Sequence, residues 1–329
     1  MFIIETYSTA VVFCFITMIC WGSWANAQKL AAANWRFELF YWDYVIGILL
    51  LSLLFALTMG NTGEGGRSFI ADWQQANPAS IQSAVVGGII FNAANILLGA
   101  AIALAGMSVA FPVGIGLALV IGVIVNYLDS PLGNGPLLFG GVSLVAVAIL
   151  LNAWAYRKRG QTSKASSKGI ILSIVSGCLM GLFYKYVAAS MFPDFHIPEP
   201  GKLSPYTAVL FFSFGIVASN FLFNTLLMKW PSTGTSLTYR EYFGGTFKNH
   251  LTGILGGMIW CVGMSFSIIA SGKAGPAISY GLGQGATVVA ALWGIYIWKE
   301  FRDVPGTRGL LNAMLVCYAL GLALIITAR

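Results

Sequence analysis

The sequence predicts an all-α integral membrane protein of ten transmembrane helices, arranged as two inverted five-helix repeats. Three observations predict it. Apolar residues make up 57% of the 329-residue chain and charged residues only 9%, against about 25% charged in ordinary soluble domains. Ten stretches are long and apolar enough to span a bilayer, which takes roughly 20 residues. They fall into two halves with one internal pattern, and five is odd, so the second half enters the membrane from the opposite side. Inverted repeats of this kind build secondary transporters, whose substrate site lies near the membrane midplane.

The segments run at 8–28, 42–60, 81–103, 107–128, 136–156, 169–191, 205–228, 250–271, 274–297 and 308–328. The first has neither a basic n-region nor a small-residue cleavage site and reads as a retained helix, not a signal peptide. Residues 1–158 form the first repeat, 159–168 a cytoplasmic linker and 169–329 the second repeat, in one membrane domain. Stretches 61–80 and 192–204, rich in Gly, Pro, Asn and acidic residues, read as ordinary connectors. The longer stretch 229–249 carries Tyr239-Arg240-Glu241-Tyr242 and reads as a connector, with a gate as the alternative. Cys14, Cys20, Cys178, Cys261 and Cys317 all sit inside apolar segments, as packing thiols do.

Basic residues set the expected orientation. On the linker's side lie Lys29 and Arg36, then Arg157, Lys158, Arg159, Lys164 and Lys168, then Lys229, Arg240 and Lys248, then Lys299, Arg302 and Arg308. The other side has only Arg67, Lys202, Lys273 and Arg329. The expectation is a multi-pass plasma (inner) membrane protein with both termini extracytoplasmic. Anionic lipid head groups of the bilayer account for the net charge of +7 without a nucleic-acid partner.

The repeat aligns without a gap. Gly87-Gly88-Ile89-Ile90-Phe91 corresponds to Gly256-Gly257-Met258-Ile259-Trp260. At the same offset, Gly106 falls on Gly275, and Phe111-Pro112-Val113-Gly114-Ile115-Gly116 on Tyr280-Gly281-Leu282-Gly283-Gln284-Gly285. Pro112, Gly114 and Gly116, with Gly281, Gly283 and Gly285, are therefore candidate helix breaks, and paired breaks point to a transport site. Tight packing of helices on small residues is the alternative. Gln284 stands where the first half has Ile115, and a Gln in an apolar helix needs hydrogen-bond partners that a polar substrate supplies.

Other intramembrane polar and aromatic residues extend the candidate site. Asn92 and Asn95, three apart, share one side of segment three, and Asn220 and Asn224 pair similarly on segment seven. Trp21, Trp24, Trp260 and Tyr280 offer flat faces to a ring-shaped substrate, or serve as belt and core. Lys185, the one basic residue well inside a segment, must face a cavity, meet a carboxylate or snorkel. Asp43, at the inner mouth of segment two, is the candidate for proton coupling, with an interfacial salt bridge as the alternative. The mechanism expected is alternating access, with segments three, four, eight and nine lining the site while one, two, six and seven rock around it.

Trp21-Gly22-Ser23-Trp24, Trp42-Asp43-Tyr44, Gly87-Gly88 with Asn95, and Asn126-Tyr127-Leu128-Asp129 together resemble the drug/metabolite transporter superfamily. Gly275-Pro276-Ala277-Ile278-Ser279-Tyr280-Gly281, then Trp293-Gly294-Ile295-Tyr296 and Glu300, extend the likeness through the second half. Within the superfamily the chain is most similar to ureide permeases and the neighbouring bacterial glucose/ribose porters. That resemblance implies proton-driven uptake of allantoin, related ureides or oxo-purine and pyrimidine bases, with sugars for the neighbouring family. Plant ureide permeases are similar but carry a long central loop with a nucleotide-binding-like motif. Here the linker is short and has no G-x-x-x-x-G-K-[ST], so neither ATP nor another cofactor is implied.

An enzyme would need a catalytic constellation. His196 and His250 lie far apart near loops, and the sequence has no H-E-x-x-H, no G-x-S-x-G and no paired intramembrane Asp. A channel or a scaffold would not require the repeat. The partners expected are a small neutral polar solute, H⁺ as coupling ion and the bilayer.

Overall fold

The structure, a computed structural model, describes residues 1–32, 34–159 and 166–329, with the backbone alone at Met107 and Ser108. The linker expected at 159–168, with Lys164, thus lies largely outside the described residues. In chain order the helices are α1 (Tyr7–Ser23, prolonged as a tighter 3₁₀ stretch to Leu30), α2 (Phe37–Leu57), α3 (Phe69–Gln75), α4 (Pro78–Ala105), α5 (Met107–Asp129), α6 (Gly135–Lys158) and α7 (Ser167–Ser190). They continue with α8 (Pro205–Lys229), α9 (Tyr239–Phe243), α10 (Phe247–Ala274), α11 (Pro276–Gly283), α12 (Ala286–Leu292, extended by a wider turn to Ile297) and α13 (Arg308–Thr327). Among the described residues, ten helical stretches are long and apolar enough to cross a membrane, and they coincide with the ten expected segments.

Local chemistry sets the helix entries. The side chains of Asn77, Asn134, Ser204 and Thr246 each accept a backbone N–H of the following first turn. Pro78, Pro136 and Pro205 fill first-turn positions where no N–H is needed. Helix α2 begins before the expected residue 42 because Glu38 is buried in its first turn against Arg36. Arg36 in turn donates to the Thr233 and Thr235 carbonyls, which ties this end to the 229–249 stretch. Two connectors fold further than expected. In α3, Asp72 is fully buried, pairs with Arg67 at 3.0 Å and accepts the Ser204 N–H at 2.7 Å, fastening 61–80 to 192–204. Helix α9 forms behind a capping box of Thr238 and Glu241.

The two halves pack through the same devices. The joints α4–α5 and α10–α11 turn at Gly106 (φ 78°, ψ 156°) and Gly275 (φ 82°, ψ 154°), backbone that only glycine adopts readily. Helix α4 packs on α7 and α8, as α10 packs on α1 and α2. A Cβ on Gly88 would run into the Phe212 carbonyl and one on Gly257 into the Tyr44 carbonyl. Without side chains there, the helix backbones approach closely, which is how helices associate when lipid removes the hydrophobic drive between them.

The expected breaks differ between the halves. Helix α5 runs unbroken through Pro112, Gly114 and Gly116. Pro112 lies in its second turn and forfeits one backbone bond there. Gly114 faces α7 at the Ser173 carbonyl, while Gly116 has open space beside it. In the second half the helix tightens at Gln284–Gly285 between α11 and α12, where both residues keep helical dihedrals but the Gly285 N–H bonds the Leu282 carbonyl, three residues back. Gly283 lies against the Trp21 ring, Gly285 against Met18 and Leu322, and Gly281 against Val123.

Candidate substrate-binding cavity

A cavity of ≈ 900 Å³ reaches from the middle of the bundle to the end that carries residues 24–36 and Trp298–Glu300. Its deep wall is aromatic. Trp21 and Trp260 stack at 5.8 Å with 13° between their planes, and the Trp21 indole donates to the Trp260 carbonyl at 3.3 Å. Phe91 lies 4.4 Å from Trp260, and Trp24 lies 4.6 Å from Tyr44. A ring held between two faces needs about 7 Å, twice a ~3.5 Å contact. Trp21 and Trp260 are closer than that, so they present a stacking surface, not a slot.

Uncharged amides supply the polar groups. Asn95 on α4 donates to the Tyr41 hydroxyl at 3.2 Å and borders the cavity. Gln284 borders it from the tightened turn between α11 and α12. Thr287 also lines the wall, accepting from Tyr318 at 2.8 Å and donating to the Gln284 carbonyl at 3.0 Å. Among the described residues, the charged groups on the lining are Lys29 and Glu300, both at the mouth. There Lys29 sits 3.9 Å over the Trp298 ring, and Glu300 accepts from Tyr156 at 2.9 Å and pairs with Arg159 at 3.3 Å. Trp293 and Trp298 donate to Ser23 and Asn26, each at 2.8 Å, and link this rim to the first helix.

The structure brings Trp21, Trp24, Asn95, Trp260, Gln284 and Pro112 to the cavity and leaves the other candidates elsewhere. Asn92 is fully buried, accepting from Tyr41 at 3.0 Å and donating to Ser219 at 2.9 Å, so Tyr41 joins it to Asn95. Tyr280 is sealed between α5 and α7, where its hydroxyl donates to the Ala118 and Met180 carbonyls. Lys185 pairs with Asp129 at 3.0 Å, and both side chains are exposed.

Asp43 is also off the cavity, buried where α2 meets α9 and α10. Its carboxylate accepts from the Tyr242 hydroxyl at 2.7 Å and meets His250 Nδ1 at 3.0 Å. Burial and the adjoining Asp43 carboxylate raise the Tyr242 phenol above its usual range, keeping it a proton donor in that bond. Trp35, which does line the cavity, packs edge-on to His250 at 5.1 Å, so this cluster lies one ring behind the wall.

Sequence reasoning missed several lining groups. Asn152 and Tyr156 come from α6, whereas the expected lining was segments three, four, eight and nine; Thr287 of α12 does lie in segment nine but is not among the expected site residues. The spacing of Ile149, Asn152 and Tyr156 on one helix face was the available signal.

The cavity has the volume of a small-molecule site, and comparisons with known proteins point to a carrier. The sequence matches the family described as Ureide permease over residues 40–168 and 159–328. Ureide permease 1 of Arabidopsis thaliana is 21% identical over 386 residues, spanning 100% of this chain and 99% of its own length. Ureide permease 5 of the same plant is 23% identical over 397 residues, spanning 99% and 96%. The glucose uptake protein GlcU of Bacillus subtilis is 28% identical over 236 residues, 69% of each chain. A protein known from its crystal structure superposes with a TM-score of 0.63 at 16% identity, covering 98% of this chain and 99% of that one, a likeness of fold alone. The chain belongs to the ureide permease family and is a multi-pass membrane transporter of a small molecule, not an enzyme.

Proposed function

We propose that the protein takes up a small, flat, neutral solute, a ureide or nucleobase, by proton symport with alternating access. The single observation that carries this reading is the cavity's interior, aromatic faces and unionised amides with, among the described residues, charge only at the mouth. Its volume falls within the ≈ 300–1,000 Å³ typical of small-molecule sites. An amide-rich ring stacks on Trp21 or Trp260 and pairs its edges with Asn95 and Gln284. The names of the plant relatives support the same substrate class.

In this reading residues 1–158 and 169–329 are inverted repeats, and the matching joints at Gly106 and Gly275 support it. The linker faces the cytoplasm and both termini face outward across the plasma membrane, so the cavity is open inward. Asp43 with His250 is the proton site, one ring from the cavity through Trp35. A second reading, a sugar porter, is favoured by the glucose uptake relative and by indole faces that also suit sugars. Uptake of labelled allantoin, uracil, glucose and ribose into proteoliposomes under an inward proton gradient tests both. The expected result is saturable, gradient-stimulated uptake of allantoin or uracil; sugar uptake alone establishes the second reading instead.

A further inference from the structure

Asn152 combines two features that no other asparagine here shares. It lines the cavity while the residue as a whole is only 8% exposed, and its buried Oδ1 has no hydrogen-bond partner. Among the described residues no group bonds its amide nitrogen either. Asn220 and Asn224 also carry unpartnered buried amide atoms, but α8 contributes nothing to the cavity lining. Asn95 lines the cavity but already holds Tyr41.

Ile149, Asn152 and Tyr156 share a face of α6, and the Tyr156 hydroxyl lies where a side chain on Gly294 would go. That face therefore meets the stretch containing Ala290 and Ala291, which also line the cavity. An amide in such a wall is costly without partners, so a ligand that supplies them gains affinity by doing so.

We infer that Asn152 is a substrate-reading residue whose side chain, with no partner to give up at its buried Oδ1, turns into the cavity to pair its amide with the adjacent N–H and C=O of a lactam, imide or urea edge. The two groups of the side chain are a donor and an acceptor in one plane, and that edge presents their complement. This rests on the ureide or nucleobase reading above and adds the residue that selects for it. A solute with hydroxyls alone lacks the paired edge and gains less.

The test is transport by Asn152→Leu, nearly equal in size, and by Asn152→Ala, each first checked for a monodisperse gel-filtration profile. For whichever of uracil and allantoin the wild type carries, both variants should raise KM about tenfold with little change in maximal rate. Inhibition by 1,3-dimethyluracil, which lacks every N–H edge, should be weaker than inhibition by uracil in the wild type. Asn152→Leu should narrow that gap about tenfold. A folded variant with unchanged KM and an unchanged gap overturns the role of Asn152 and leaves the substrate reading standing. A wild type that carries neither solute overturns the substrate reading, and the inference falls with it.

Discussion

Where α4 crosses α8, Gly88 meets the Phe212 carbonyl and Gly215 the Val85 carbonyl; where α10 crosses α2, Gly257 meets Tyr44 and Gly47 meets Ile254. The next helix of each half departs from this likeness. Helix α5 is continuous through Pro112, whereas in the second half α11 and α12 are joined by a tightened turn at Gln284–Gly285. Shared glycines thus serve packing common to both halves, and Gln284, which stands where the first half has Ile115, lies where the two halves differ. The comparison teaches that likeness of packing between the halves does not extend to the cavity lining, where Gln284 faces the space and Ile115 stands opposite in the alignment.

The largest effect should come from the shared part. Gly88→Val and Gly257→Val each drive a branched side chain into a backbone carbonyl, an overpacking cost of about 1–3 kcal/mol or more. Both should abolish monodisperse protein in gel filtration, and to the same degree. Gly116→Val, with nothing within 4 Å of its Cβ, should leave the yield unchanged. Unequal losses at Gly88 and Gly257 would break the equivalence of the two crossings.

Next comes the unshared residue. Gln284→Ala should cut uptake about tenfold, one or two hydrogen bonds' worth, while folding is preserved. Ile115→Val at the matching place should stay within about twofold. Wild-type uptake by a well-inserted Gln284→Ala protein would remove Gln284 from the site. Asp43→Asn should flatten the dependence of uptake on the proton gradient, since an amide neither takes up nor releases the proton; an unchanged pH profile would exclude Asp43. The smallest effect is expected at Lys185→Ala. Its ion pair with Asp129 is exposed, so thermal unfolding should register less than about 1 kcal/mol.

The ten spans are legible in the sequence because hydropathy is a local property summed over one helix. The early start of α2 is not, because Glu38 reads as a loop residue until Arg36 is found to neutralise it. The site is legible only in part. Trp21, Trp260, Asn95 and Gln284 stand out by type and by their place in the repeat. Asn92 and Asn95 look equivalent from spacing and both bond Tyr41; what separates them is that α8 seals Asn92 through Ser219, while Asn95 is left on the cavity wall. Asn152 gives only a weak local signal, its shared helix face with Ile149 and Tyr156, because nothing in that spacing says which wall α6 presents.

The most direct test of the account asks whether the cavity is the transport site. In a chain with its five native cysteines replaced, Ala153→Cys would place a thiol on the cavity wall beside Asn152. The account predicts that a soluble maleimide labels it and that saturating transported solute slows that labelling several-fold. Labelling at the same rate with and without the solute would contradict it.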